Sequence, residues 1–140
     1  MIKENNEWKI NYNFKKDREY KFQIIFEDTI TNMKQFFENC SYIKSLDFSD
    51  FDTSKVTNME KVFNECHRLK EIKGLDKFNT KNVFNMSGMF QGCSELIKLD
   101  LSNFDTSKVI YMTHLFRFCT NLTSINLKNK FSTSSVIWMD

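Results

Sequence analysis

Apolar positions along this chain follow two different periods. Up to residue 28 they alternate strictly. Trp8, Ile10, Tyr12 and Phe14 fall on one side, with Lys9, Asn11 and Asn13 on the other, and after the charged stretch Lys15 to Glu19 the alternation resumes at Tyr20, Phe22, Ile24 and Phe26. A period of two with aromatic and β-branched residues predicts two strands of a hairpin. The connecting KKDRE has neither Gly nor Asn, so its turn is expected to be longer than the tight two-residue type. From residue 29 the pattern changes. Val56, Met59, Phe63 and Cys66 recur at i, i+3, i+7 and i+10, with Val62 widening the stripe. The same stripe returns as Val83, Met86, Phe90, Cys93 and as Val109, Met112, Phe116, Cys119. This spacing predicts a short helix. Between the stripes Leu46 and Phe48, Leu99 and Leu101, and Ile125 and Leu127 alternate and predict short strands. An Asp-Thr-Ser before a stripe supplies the short oxygen-bearing side chains of a helix start.

These periods belong to one internal repeat. The four cysteines, Cys40, Cys66, Cys93 and Cys119, are separated by 26, 27 and 26 residues. Each closes a Phe-x-x-Cys, beginning at Phe37, Phe63, Phe90 and Phe116, and a methionine column precedes them at Met33, Met59, Met86, Met112 and Met139. DTSKV occurs identically at Asp52–Val56 and Asp105–Val109, and the longer units place their extra residue near Gly74 to Lys77 and near Lys128 to Lys130. A unit of this size cannot bury its apolar face alone, whereas stacked units build a continuous core. The expected fold is therefore an α/β repeat solenoid, one short strand and one short helix per unit. Residues 1–28 are expected to form an N-terminal β-hairpin cap, and residues 29–140 about four units. The last unit reads as truncated, because Met139 arrives on schedule and no Phe-x-x-Cys follows. An open last unit predicts fraying or end-to-end self-association there.

The wording of the unit, L-D-L-S-x-F-D-T-S-K-V-x-x-M-x-x-L/M-F-x-x-C-x-x-L, resembles the bacterial-surface-protein (BspA-like) type of leucine-rich repeat. NMSGMFQGCSEL, Asn85 to Leu96, is similar to that family's usual phrasing, and the resemblance spans residues 29 to 140. It implies a leucine-rich-repeat-like stack, an adhesin-like role and a cell-surface location. The opening MIKENNEWKI lacks the apolar segment and cleavage site of a signal peptide, which leaves the compartment unassigned.

Composition narrows the function classes. The 140 residues carry a net charge of +2 with both signs interspersed, which is no footprint for nucleic acid. No apolar run is long enough for a membrane helix, so no membrane insertion is expected. Pro is absent and Gly numbers three, so no flexible linker divides the chain. Each cysteine stands alone in its unit. That disfavours a zinc site, and cysteines on adjacent helices mostly sit too far apart for a disulfide ladder, so disulfides and metal remain the lesser alternatives. A small buried hydrophobe is the expectation. His67 and His114 occupy unrelated positions in their units. No nucleophile elbow or Gly-rich phosphate loop occurs. Asp52 and Asp105 are replaced by Asn79 and Ser132 in the other units, which favours turn or cap roles over a calcium ladder. Sequons at Asn39, Asn85 and Asn121 read as chance. Neither enzymatic activity nor a cofactor is expected. The outward strand residues are expected to line a face for a protein partner: Ser45, Asp47 and Ser49; Glu71 and Lys73; Lys98, Asp100 and Ser102; Ser124, Asn126 and Lys128. The alternative is a purely structural piece of a larger protein.

Overall fold

The computed structural model describes residues 2–4, 7–9 and 29–138. Strands β1 (Ile2–Glu4) and β2 (Glu7–Lys9) pair antiparallel. Residues 10–28, which hold most of the two strands expected for the cap, lie outside the described residues. From residue 29 onward the 26- and 27-residue units stack in parallel. Backbone bridges run through one column of all five rungs, Asn32 to Asn58 to Asn85 to Tyr111 to Trp138. A second column holds the strands. There β3 (Ser45–Asp47) pairs with β4 (Glu71–Lys73), and β5 (Lys98–Asp100) pairs with β6 (Ser124–Asn126), both parallel and in register.

The predicted strand-plus-helix unit is wrong. Among the described residues the only helical piece is a 3-10 turn, Leu75–Lys77. Where a helix was expected, the chain makes two successive four-residue turns per unit. In Met59–Cys66 the third residue of each turn, Lys61 and Glu65, is left-handed (φ 55° and 58°). Gln35 and Asn39, Gly88 and Gly92, and His114 and Phe118 hold the same two positions in the other units, all at positive φ. A left-handed residue every fourth position cannot belong to a right-handed helix. The apolar residues take the first and last places of each turn: Met59, Val62, Phe63 and Cys66, all fully buried. That spacing is i, i+3, i+4, i+7, the same as a helix face. The periodicity is genuine, and a different backbone produces it.

Hydrogen bonds explain why this backbone is stable. Met59, Lys61, Phe63 and Glu65 N–H donate to the carbonyls of Asn85, Ser87, Met89 and Gln91 in the next unit, at 2.8–2.9 Å. The intervening Asn64 and Cys66 N–H close turns onto Lys61 and Phe63 carbonyls at 3.2 Å. Every second amide therefore ties one rung to the next.

Two further ladders of side chains link the rungs, one of phenylalanines and one of threonines. Phe37, Phe63, Phe90 and Phe116 stack with ring centroids 5.6–6.0 Å apart and planes within 20°. The buried threonines Thr53, Thr80 and Thr106 each clasp the following unit. Thr80 Oγ1 accepts from Asp105 N–H (2.8 Å) and donates to Asp105 C=O (3.0 Å). Thr53 and Thr106 bind Asn79 and Ser132 in the same two-way manner. The threonine of Asp-Thr-Ser is thus a rung-to-rung tie. The Asp before it caps a turn: Asp52 Oδ1 accepts from Ser54 N–H at 2.8 Å, and Asn79, Asp105 and Ser132 do likewise in their units. The methionine column is core, with Met33, Met59, Met86 and Met112 all buried. Met139 lies outside the described residues.

The extra residue of the second unit is absorbed at Gly74 (φ 74°), which leads into the 3-10 turn. A Cβ there would meet the backbone of Phe48 and Ser49 at 2.6 Å, so only glycine fits. This insertion follows β4, and β4 is not paired with β5.

Candidate functional site

The outward strand residues sit where the alternation places them. Ser45, Asp47, Glu71, Lys73, Lys98, Asp100, Ser124, Asn126 and Lys128 are exposed, while Ser49 and Ser102 are half-buried. Pairing brings them together in two sets, Ser45 and Asp47 beside Glu71 and Lys73, and Lys98 and Asp100 beside Ser124 and Asn126. Ser49 and Ser102 are committed to local turns, their N–H groups donating to Asp47 and Asp100 at 2.9 Å. The serine hydroxyls, together with those backbone bonds, hold both carboxyl groups below the usual range. Asn126 Nδ2 also donates to Asp100 (3.1 Å). The face is polar, with Asp47 and Asp100 bonded within it.

All four cysteines are free. Cys66, Cys93 and Cys119 thiols donate to the carbonyls of Phe37, Phe63 and Phe90 in the preceding unit, at 3.0–3.1 Å. Burial pushes the Cys40 and Cys119 thiols up to about 11, and those of Cys66 and Cys93 further. A neutral thiol is a poor nucleophile and a poor metal ligand. Among the described residues no group of three or more His, Cys, Asp or Glu is placed to hold a metal ion.

The histidines serve local contacts. His67 Nδ1 lies 3.0 Å from Gly92 C=O and its Nε2 3.3 Å from Glu65, while His114 Nε2 lies 3.3 Å from Arg117. A shallow groove of about 320 Å³ runs past Glu60, Asn85, Gln91, Tyr111 and His114. Its carboxylate is committed to the stack, since Glu60 takes Lys34 Nζ and Asn85 Nδ2, each at 3.1 Å. No helix of the described residues is long and apolar enough to cross a membrane.

One surface escaped the sequence reading. Phe84 and Tyr111 are 40% exposed, Ile137 71% and Trp138 61%. Aligning the units by column exposes the signal. The column Thr31, Thr57, Phe84, Ile110, Ile137 turns from polar to apolar along the chain, and the column Asn32, Asn58, Asn85, Tyr111, Trp138 turns from amide to aromatic.

The fold defines a class: a stack of turn-built rungs joined by parallel backbone bonds, with side chains displayed in exposed columns. A family model described as "Mycoplasma protein of unknown function, DUF285" matches residues 31–140. The chain belongs to that family. No curated protein and no solved structure shows significant similarity to it.

Proposed function

We propose that the chain is a non-enzymatic repeat module that mediates protein–protein or cell-surface contact. Its mechanism is the display of side chains from fixed columns on a rigid stack, a use common to repeat proteins. The observation that carries the reading is the cross-bracing of every rung to the next by backbone, threonine and cysteine bonds. Such bracing orders the exposed columns before a partner arrives, which lowers the entropic cost of association. The resemblance to surface proteins of the BspA-like type supports the same role.

The test is capture from extracts of the organism that makes the chain, using the immobilised protein and variants whose exposed columns are replaced by alanine. The outward strand residues, Ser45 to Lys128, form the first set. The expected result is a protein retained by the wild type and lost with one exposed set. Retention of nothing specific, or retention indifferent to every exposed set, returns the chain to a purely structural role.

A further inference from the structure

The two halves of the stack differ in charge and in apolar exposure. Residues 29–76 carry seven Lys or Arg against eight Asp or Glu, a net charge of −1, whereas residues 77–138 carry seven against three, a net charge of +4. Of the eight large hydrophobic residues exposed among the described ones, only Tyr42 precedes Phe84. The exposed apolar residues at Phe84, Tyr111, Ile137 and Trp138 fall in two adjoining columns, with Lys81 and Lys108 close by in the chain. The exposed Phe84 and Ile137 and the half-buried Ile110 occupy one column of successive rungs, tied by Ile110 N–H to Phe84 C=O and Ile137 N–H to Ile110 C=O, both at 2.9 Å. Tyr111 and Trp138 form the adjoining column. Lys81 and Lys108 are exposed just before Phe84 and Ile110, and Lys108 Nζ donates to the neutral Asn82 amide (3.3 Å).

The architecture has no need of these apolar groups. Thr57 and Asn58 occupy the same columns one rung earlier and make the same backbone bonds: Phe84 N–H donates to Thr57 C=O, and Asn58 bridges Asn85. Exposed aromatic and aliphatic side chains that folding does not require mark an interaction site. Aromatic residues with Lys81 and Lys108 close by, and with the neighbouring Glu60 already paired to Lys34, suit a partner that brings apolar anchors and negative charge.

We propose that this face docks an acidic protein segment bearing apolar side chains. The inference rests on the display function above and places its partner surface on these columns rather than on the outward strand residues. The probe is a synthetic peptide alternating Glu and Asp with Leu, Phe and Trp. Its controls are a copy with Lys for each acid, a copy with Ser for each apolar residue, and phosphatidylglycerol vesicles. The expected result is binding of the acidic peptide that weakens with salt, with both peptide copies weaker by about tenfold or more. The variant F84T/I110T/Y111N/K81S/K108N uses only residues that other rungs already hold in those columns, and is expected to lose binding by a similar factor. The reversal K81E/K108E, confined to exposed positions, is expected to weaken binding while leaving the thermal melt unchanged. Equal binding of the acidic and Lys peptides, undiminished binding by either variant, or binding of vesicles alone overturns the proposal. Loss of peptide binding only when the outward strand residues become alanine also overturns it, yet leaves the display function standing.

Discussion

Met59–Cys66 and Met86–Cys93 follow the same path with different residues. Both make two four-residue turns, donate every second amide to the next rung, and bury the same four places. At the left-handed positions the second segment has Gly88 and Gly92, where the first has Lys61 and Glu65. Left-handed backbone disfavours a side-chain-bearing residue by about 1–2 kcal/mol. Stacking therefore overrides local preference in the first segment and agrees with it in the second. The path is set by the bonds between rungs, and glycine only eases it.

This comparison has graded consequences. The largest concerns the stacked rings, which are fully buried in both segments. Phe63→Ala and Phe90→Ala are each expected to cost about 3–5 kcal/mol in chemical denaturation. Because both rings have neighbours on two sides, the two losses should agree; a much smaller loss at one would break the equivalence of the rungs. Next comes the threonine tie. Thr80→Val keeps the shape and strands Asp105 N–H and C=O, so a loss of about 1–3 kcal/mol is expected, with a similar loss for Thr53→Val.

The left-handed positions come third, with opposite signs. Lys61→Gly should stabilise and Gly88→Ala destabilise, each by about 1 kcal/mol after glycine's greater chain entropy is allowed for. A loss at Lys61→Gly comparable to that at Gly88→Ala would mean the side chain, not the backbone, matters there.

The smallest effect is one of pH. The Ser54 N–H and hydroxyl hold Asp52 below the usual carboxylate range. Its contribution is thus complete above the unfolded value, about 3.9, and is lost as pH falls toward and through the lower folded value. Asn79 caps the equivalent turn without titrating. Asp52→Asn should leave the melting temperature at pH 7 nearly unchanged and reduce the drop between pH 7 and pH 3. An unchanged drop would show that the Asp52 cap contributes nothing on the acid side.

Much of this was legible before the fold was known, and what was not has a physical cause. The repeat period, the methionine and phenylalanine columns and the burial of Cys66 and Cys93 follow from the apolar pattern directly, whereas Cys40 and Cys119, expected buried as well, are half-buried. The helix expectation fails because two turns with apolar first and last residues reproduce i, i+3, i+4, i+7. The contrary signal, a left-handed residue every fourth place, shows as glycine only at Gly88 and Gly92; Gln35, Asn39, Lys61, Glu65, His114 and Phe118 conceal it elsewhere. Thr53, Thr80 and Thr106 recur visibly, but a tie between rungs cannot be told from a helix start until the rungs are stacked. The apolar face at Phe84, Ile110 and Trp138 is hidden along the chain because these residues lie outside the strands and share their columns with Thr31, Thr57, Asn32 and Asn58. Comparing residues down a column finds it; comparing them along the chain does not.

The central claim, that each rung is a pair of turns bonded to the next rung rather than a helix bonded to itself, is open to one direct measurement. Scalar couplings across hydrogen bonds identify donor and acceptor by NMR. The fold predicts couplings from Lys61 N–H to Ser87 C=O and from Glu65 N–H to Gln91 C=O, residues in the next rung. Couplings from Lys61 to Thr57 and from Glu65 to Lys61, four residues back in the same rung, are the pattern of an α-helix and would contradict it.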